Sequence, residues 1–87
     1  MTSSATPDFW RSFAELPRPV QDRARRVFRL WRQNPRHPSL CFKKVGTLWS
    51  VRIDEGHRAL ALAAEDALHW FWIGAHDAYG RLIVETR

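Results

Sequence analysis

The sequence predicts an α+β fold in which an N-terminal two-helix hairpin packs on a twisted antiparallel β-sheet. Two observations carry this prediction. Apolar residues recur with the 3.6-residue period of a helix before about residue 35, and with the two-residue period of a strand after about residue 40. The helices are expected over about residues 7–34 and the sheet over about residues 40–84. Because 87 residues hold no linker or low-complexity segment, residues 1–87 are expected to form a single domain.

The first helix is expected to begin at Thr6-Pro7-Asp8, where a capping threonine precedes a proline and an acidic residue. Phe9, Phe13 and Leu16 follow at i, i+4 and i+7, which places their side chains on one face. A proline at position 17 ends this helix. The first helix is therefore short and has one apolar face.

A second helix is expected from Pro19 to Asn34. Its apolar stripe has a clean helical period and consists of Val20, Ala24, Val27, Phe28 and Trp31. The opposite face carries Asp22 and four arginines, Arg25, Arg26, Arg29 and Arg32. The two helices are expected to lie antiparallel, because only a short proline-rich turn joins them.

The remainder of the chain reads as strands. Trp49, Val51 and Ile53 alternate with polar residues, and a turn at residues 54–56 separates them from an alternating stretch at residues 57–64. A second turn at residues 65–66 precedes an apolar central strand at residues 68–73. The three strands form an antiparallel meander. Residues 40–44 either begin the sheet or lead into it.

The charge balance points towards a polyanionic partner. Lys and Arg number 14 against 9 Asp and Glu, which gives a formal net charge of +5. Such an excess favours nucleic acid, an anionic membrane or an acidic protein, although surplus arginine also keeps a surface soluble. The N-terminus lacks the pattern of a signal peptide, and charged residues interrupt the longest apolar-rich stretch. We therefore expect a cytoplasmic protein with no membrane contact.

Several polar residues with useful chemistry stand on the expected strands and at their ends. They are Lys43, Lys44, Arg52, His57, Arg58, His76, Asp77 and Tyr79. Because neighbouring strands of a meander bring their ends together, these side chains are expected to converge on one sheet face and its rim. Cations that stabilise a phosphorane-like transition state, with an imidazole that moves a proton, are what metal-free RNA cleavage requires.

Each of these residues also has a structural explanation. A strand arginine often pairs with a carboxylate, here Asp54 or Glu65, and a histidine at a strand end is commonly a surface residue. Tyr79 can cap the sheet edge with its ring. The histidines and the single cysteine lack the spacing of metal ligands, so neither a metal nor another cofactor is expected.

Five ordered segments resemble the RelE/ParE superfamily, the toxins of type II toxin–antitoxin systems. The match covers about Phe9 to Ile83. Its motifs are F-x-x-L-P-x-x-V-Q at 13–21, N-P-x-H-P-S-L-x-F-K at 34–43, W-S-x-R at 49–52, G-x-R-A-L at 56–60 and W-I-G-x-H-x-x-Y at 72–79. The resemblance implies the helix-hairpin-on-sheet fold and an acidic or amphipathic antitoxin that wraps the toxin.

The resemblance also implies an activity, and the YafQ/HigB/RelE-like branch fits best. Members of that branch cut mRNA in the ribosome without a metal ion, by attack of the 2′-OH on the next phosphodiester. For this chain the resemblance implies that Arg58 contacts the phosphate with help from Arg52, that His76 transfers the proton and that Tyr79 closes the site. Lys43, Lys44 and His57 are expected to hold the RNA. The alternatives are a ParE-like poison of DNA gyrase and an inactive binding module with the same fold.

Three positions depart from the family pattern. His57 stands where tyrosine is usual, and Gly80 replaces a common acidic residue. The N-terminus is short and rich in serine and threonine, so the first edge strand of the family is expected to be absent or stunted. An open edge favours strand exchange, so a dimer or a toxin–antitoxin hetero-oligomer is expected. The resemblance implies an antitoxin and the ribosome with mRNA as the other partners.

Overall fold

The computed structural model describes residues 2–86, and side chains as far as residue 83. The strands are β1 (Thr2–Ala5), β2 (Lys43–Val45), β3 (Leu48–Asp54), β4 (His57–Ala64) and β5 (Ala67–Ala75). The helices are α1 (Pro7–Ala14), α2 (Arg18–Gln33) and α3 (His76–Thr86), with one 3-10 turn at Pro38–Leu40. The strands form one sheet in the order β1-β5-β4-β3-β2. The α+β fold is confirmed.

The helical hairpin forms as the sequence predicts. The Thr6 hydroxyl accepts a hydrogen bond from the Phe9 backbone N–H at 3.2 Å and so caps α1. The Gln21 side-chain amide then donates to the carbonyl oxygens of Phe13 and Leu16, each at 3.1 Å. Because those carbonyls lie at the end of α1, the bonds fix α2 against it.

The main core lies between the helical hairpin and one face of the sheet, which we call the helix face. Its buried members are Phe9, Phe13, Ala24, Trp31, Leu40, Val51, Ile53, Ala59, Ala61, Leu68, Trp70 and Ile73. The Trp70 ring packs edge-on against Phe28 and Trp31, with centroids 5.0 and 5.6 Å apart. Such aromatic pairs contribute about 0.5–1.5 kcal/mol each beyond burial. The apolar faces of both helices therefore pack into this core.

The predicted extent of the sheet, residues 40–84, is wrong at both ends. A 3-10 turn and a left-handed Cys41 occupy residues 38–41, and the meander starts only at Lys43. After Ala75 the chain turns into α3. The helix forms here because the apolar residues are spaced at i, i+3 and i+4. This spacing lets one helical face pack on a second cluster around Leu48 and Leu60, with Tyr79, Leu82 and Ile83.

The N-terminal edge strand is present, contrary to expectation. Residues of β1 pair in parallel with β5, in a register that runs from Thr2 opposite Ala67 to Ala5 opposite Trp70. Its side chains are mostly exposed, so backbone hydrogen bonding rather than apolar burial holds it. The edge of β5 is consequently covered, and β1 and β2 are the outer strands of the sheet. None of the helices within residues 2–86 is long and apolar enough to cross a bilayer.

Candidate active site

Two arginines face each other on the side of the sheet that the helical hairpin leaves free. Arg52 of β3 lies directly opposite Arg58 of β4, and Gly74 of β5 lies beyond Arg58. Lys43 is opposite Ser50, two positions before Arg52, and so lies on the same side. We call Lys43, Arg52 and Arg58 the cationic surface. Like charges directly opposite each other destabilise a sheet, so fold stability does not explain this pair.

The two arginines differ in how firmly they are held. Nη1 of Arg58 donates to the backbone carbonyl oxygens of Asp54 and His57, the latter at 2.8 Å, and so bends back on the β3–β4 turn. Nη2 of Arg52 lies 3.9 Å from a carboxylate oxygen of Glu55, whose side chain is 94% exposed. An exposed pair at that distance contributes little. Arg58 is therefore fixed in place, whereas Arg52 is tethered loosely.

The β3–β4 turn is itself held by Asp54. One oxygen of its carboxylate accepts from the Gly56 backbone N–H at 2.8 Å and lies 3.0 Å from Nδ1 of His57. Partial desolvation raises the pKa of Asp54, but the hydrogen bonds from His57 and Gly56 and the charge of His57 outweigh it, so the pKa lies below its ordinary value. Because a carboxylate only accepts, His57 presents its Nδ1 proton to Asp54.

The same turn meets the start of α3. The His76 backbone N–H donates to the Gly56 carbonyl oxygen at 2.7 Å. Tyr79 follows one helical turn later, and its ring centroid lies 5.6 Å from that of His76 with the planes tilted by 30°. His76 is exposed and Tyr79 is half-buried against the Leu48 and Leu60 cluster. The turn that holds Arg58 is thus also hydrogen-bonded to the backbone at the start of α3, the helix that carries His76 and Tyr79.

An aromatic ring that the sequence analysis did not single out lies beside Arg58. A Cβ atom added to Gly74 would stand 2.5 Å from the ring of Trp72, so the half-buried indole lies across Gly74. An aromatic face next to cations is a platform on which nucleic-acid bases stack. The sequence could have predicted this position of Trp72. Residues two apart on a strand share a face, and a tryptophan two residues before a glycine can lie over that glycine. Asp54 was considered only as an ion-pair partner for arginine, and its hold on the turn was missed.

The structure gathers some of the predicted site residues and separates others. Arg52, Arg58 and Lys43 share one face, and His76 and Tyr79 border it. Lys44 pairs with Trp49 and so projects to the helix face. His57 precedes Arg58 by one residue, points to the other side of β4 and is engaged by Asp54. Among the side chains that the structure describes, those of residues 2–83, no three from His, Cys, Asp or Glu cluster as metal ligands would.

Comparison with known proteins finds the fold and no close sequence relative. A scan against protein-family models gives no match. A search of curated proteins gives none either. Solved structures do match. A RelB–RelE antitoxin–toxin complex from Methanococcus jannaschii aligns at a TM-score of 0.69 with 10% identity, over 90% of this chain and 95% of that one.

Two further structures align over similar lengths. YafQ from E. coli strain BL21(DE3) gives a TM-score of 0.71 with 8% identity, over 88% of this chain and 94% of that one. A YoeB/ParE toxin from Agrobacterium tumefaciens gives 0.56 with 16% identity, over 87% and 99%. The chain therefore has the fold of the RelE/ParE superfamily toxins, as the sequence resemblance predicts.

Proposed function

We propose that this protein is the toxin of a type II toxin–antitoxin system and that it cuts mRNA on the ribosome, in the cytoplasm, without a metal ion. The observation that carries the proposal is the Arg52–Arg58 pair, with His76 bound to the same turn that holds Arg58. Opposed cations cost stability in a sheet, and a phosphate placed between them relieves that cost.

The proposed reaction is an internal transfer within the RNA. The 2′-oxygen of one nucleotide attacks the adjacent phosphorus, the bond from phosphorus to the 5′-oxygen breaks, and a 2′,3′-cyclic phosphate and a 5′-hydroxyl result. Arg58 and Arg52 stabilise the negative charge that builds on the phosphate oxygens. His76 transfers a proton between the reacting oxygens, as either general base or general acid.

The aromatic residues and the lysine serve to position the RNA in this scheme. Trp72 and Tyr79 offer ring faces for stacking with the RNA bases, and Lys43 contacts a neighbouring phosphate. The predicted RNA contacts of Lys44 and His57 are untested, and the proposal does not rely on them because their side chains project away from the cationic surface.

The proposed partners follow from the same function. Two of the structural neighbours were solved as complexes of RelE with the RelB antitoxin. By analogy, a cognate antitoxin would bind this chain and neutralise it, and the ribosome with its mRNA would be the target.

One observation favours a second candidate, a ParE-like poison of DNA gyrase. Nη1 of Arg58 is occupied by carbonyl oxygens of its own turn, which is also what a purely structural arginine would show. A gyrase poison needs no acid–base pair, so Tyr79 would then serve packing alone and the exposed His76 would have no catalytic role.

The two candidates separate in a pair of assays on the purified protein. Primer extension on mRNA in a reconstituted translation system reports cleavage, and a supercoiling assay with gyrase reports trapped DNA breaks. The proposal predicts ribosome-dependent mRNA cuts and no effect on gyrase. DNA breaks with intact mRNA would instead support the gyrase poison. If neither mRNA cuts nor DNA breaks are seen, the protein would be an inactive binding module.

A further inference from the structure

Backbone carbonyl oxygens of the β3–β4 turn converge on one nitrogen of Arg58. Nη1 donates to the carbonyl oxygens of Asp54 and His57, and it lies 3.5 Å from the carbonyl oxygen of Glu55. We call these three oxygens the carbonyl cradle. Because they belong to the main chain, the place of the guanidinium depends on how the turn is folded.

The carbonyl cradle occupies only one end of the guanidinium. Among the described residues, Nη2 and Nε of Arg58 have no hydrogen-bond or ion-pair partner. These two nitrogens lie on one edge of the planar group, and such an edge donates to two phosphate oxygens at once. The cradle therefore fixes Arg58 and leaves its phosphate-binding edge open.

The fold of the turn depends in turn on the side chain of Asp54. One carboxylate oxygen accepts from the Gly56 backbone N–H at 2.8 Å and lies 3.0 Å from Nδ1 of His57. The side chain is only 30% exposed, so water competes weakly for these contacts. Both contacts reach across the residues whose carbonyl oxygens form the cradle. The carboxylate thus acts on Arg58 through the backbone of the turn.

The chain is anchored independently on both sides of this carboxylate. The carbonyl oxygen of Ile53 accepts from Nε of Arg23 in α2 at 3.4 Å. The carbonyl oxygen of Gly56 accepts from the backbone N–H of His76 at 2.7 Å. With these anchors in place, loss of the Asp54 side chain is expected to loosen the turn locally and to leave the sheet folded.

We propose that Asp54 is a positioning residue for RNA cleavage, which shapes the turn so that the carbonyl cradle holds Arg58 with its Nε–Nη2 edge towards the reacting phosphate. The inference rests on the proposed function, because it needs Arg58 to stabilise the transition state. Asp54 does not contact RNA in this scheme. Its loss should therefore slow the chemical step and leave the binding of RNA almost unchanged.

Cleavage kinetics test the positioning role. In primer extension with a reconstituted translation system, Asp54→Ala should lower kcat roughly tenfold to hundredfold and change KM by less than about threefold. Asp54→Asn keeps an acceptor for the Gly56 N–H and should restore kcat to within about fivefold of the parent protein. The control is Asp8→Ala, which removes a carboxylate of α1 that is 71% exposed and should leave kcat unchanged.

A second readout does not depend on cleavage. Hydrogen bonds slow the rotation of a guanidinium, so Nη1 and Nη2 of Arg58 should give separate signals in low-temperature proton–nitrogen spectra, assigned with Arg58→Lys. The signals should merge in Asp54→Ala and stay separate in Asp54→Asn and Asp8→Ala. Inorganic phosphate should shift the Nε signal of the parent protein and leave the Nη1 signal in place, since only the open edge binds it.

Several results would overturn the proposal. They are merged Nη signals in the parent protein, unchanged signals and kcat in Asp54→Ala, and an equal loss of kcat in the Ala and Asn variants. If Asp54→Ala does not fold, Asp54→Ser takes its place, because a serine hydroxyl holds such a turn more weakly than a carboxylate, and the same two losses are expected.

Failure of this proposal is distinct from failure of the nuclease proposal. A parent protein that cuts no mRNA, with Arg58 signals that merge only in Asp54→Ala, would leave the hold on Arg58 intact but remove its role in cleavage. A parent protein that cuts mRNA as fast as a folded Asp54→Ala would keep the nuclease and remove Asp54 from its machinery.

Discussion

The two faces of the sheet differ in what covers them and in the side chains they carry. The helix face is covered by α1 and α2, and its core side chains are apolar and almost fully buried. The other face is covered by α3 only around Leu48 and Leu60, and its remaining part carries Arg52 and Arg58 opposite each other. The helix face thus supplies most of the stability, while the second face carries an arrangement that stability alone would not select.

This difference teaches where to look for function in so small a fold. With 87 residues there is little core to spare, and the buried aromatic side chains of the helix face, Phe9, Phe13, Trp31 and Trp70, are all engaged in packing. On the second face Arg58 is held by backbone carbonyl oxygens of the β3–β4 turn, and with the opposed Arg52 it forms the core of the candidate site. The comparison predicts that mutations on the two faces damage different properties.

The largest effect is expected from exchanging one tryptophan on each face. Trp70→Ala removes a ring that is 3% exposed and should lower the free energy of unfolding by about 3–5 kcal/mol. Trp72→Ala removes a half-buried ring. It should lower the free energy of unfolding less than Trp70→Ala does, and it should weaken RNA binding more. Denaturant titration and RNA affinity, measured on both, check the prediction. Equal losses of stability would remove the distinction between the faces.

A smaller effect is expected at Gly74. A methyl group there would meet the Trp72 ring at 2.5 Å, so Gly74→Ala should displace the indole and cost about 1–3 kcal/mol together with cleavage. The control is Gly80→Ala within α3, where an added Cβ meets nothing within 4 Å and helix propensity should raise stability by about 0.5–1 kcal/mol. If Gly74→Ala kept full cleavage, the position of Trp72 would not matter.

The Asp54 carboxylate should contribute a pH-dependent part of the stability. Because its folded pKa lies below the ordinary 3.8, that contribution is present above this pH and is lost as the pH falls through the lowered pKa. Asp54→Asn keeps an acceptor for the Gly56 N–H but removes the charge. Melting temperatures of the two proteins should differ at neutral pH and should converge only as the pH falls from 3.8 through the lowered pKa. A constant difference across that range would contradict the ion pair.

The smallest effect separates two consecutive lysines. Lys43 lies on the cationic surface and Lys44 on the helix face. Lys43→Gln should weaken binding of single-stranded RNA and reduce its logarithmic salt dependence by about 0.7, the value for one phosphate contact. Lys44→Gln should change neither. The same reduction in both variants would show that the side of the sheet does not matter for RNA.

Much of this fold follows from local patterns in the sequence. Thr6 and Pro7 define the start of α1, and the stripe that ends at Trp31 defines α2. Alternation defines β3 and β4, and a continuous apolar run defines β5. Two elements did not follow. The polar β1 has no pattern of its own, because it is held by a partner 65 residues away. The sequence of α3 was predicted to belong to the sheet because it contains β-branched residues and a glycine, although the spacing of its apolar residues suits a helix.

The candidate site was predictable in part for similar reasons. Arg52 and Arg58 converge because hairpin pairing fixes which residues are opposite. The roles of Lys44 and His57 could not be separated from those of their neighbours without the register, since a shift of one residue changes the face. The hold of Asp54 on the turn depends on side-chain geometry that spacing alone does not give.

The rate of mRNA cleavage by an Arg58 variant tests the central claim most directly. Primer extension in a reconstituted translation system should show Arg58→Ala slowed by roughly 10²–10³, because a fixed cation beside the transition state is lost. Arg26→Ala, which removes an exposed arginine of α2, should cleave like the parent protein, and melting curves should show both variants folded. Cleavage by a folded Arg58→Ala within about threefold of the parent would contradict the assignment of this face as the active site.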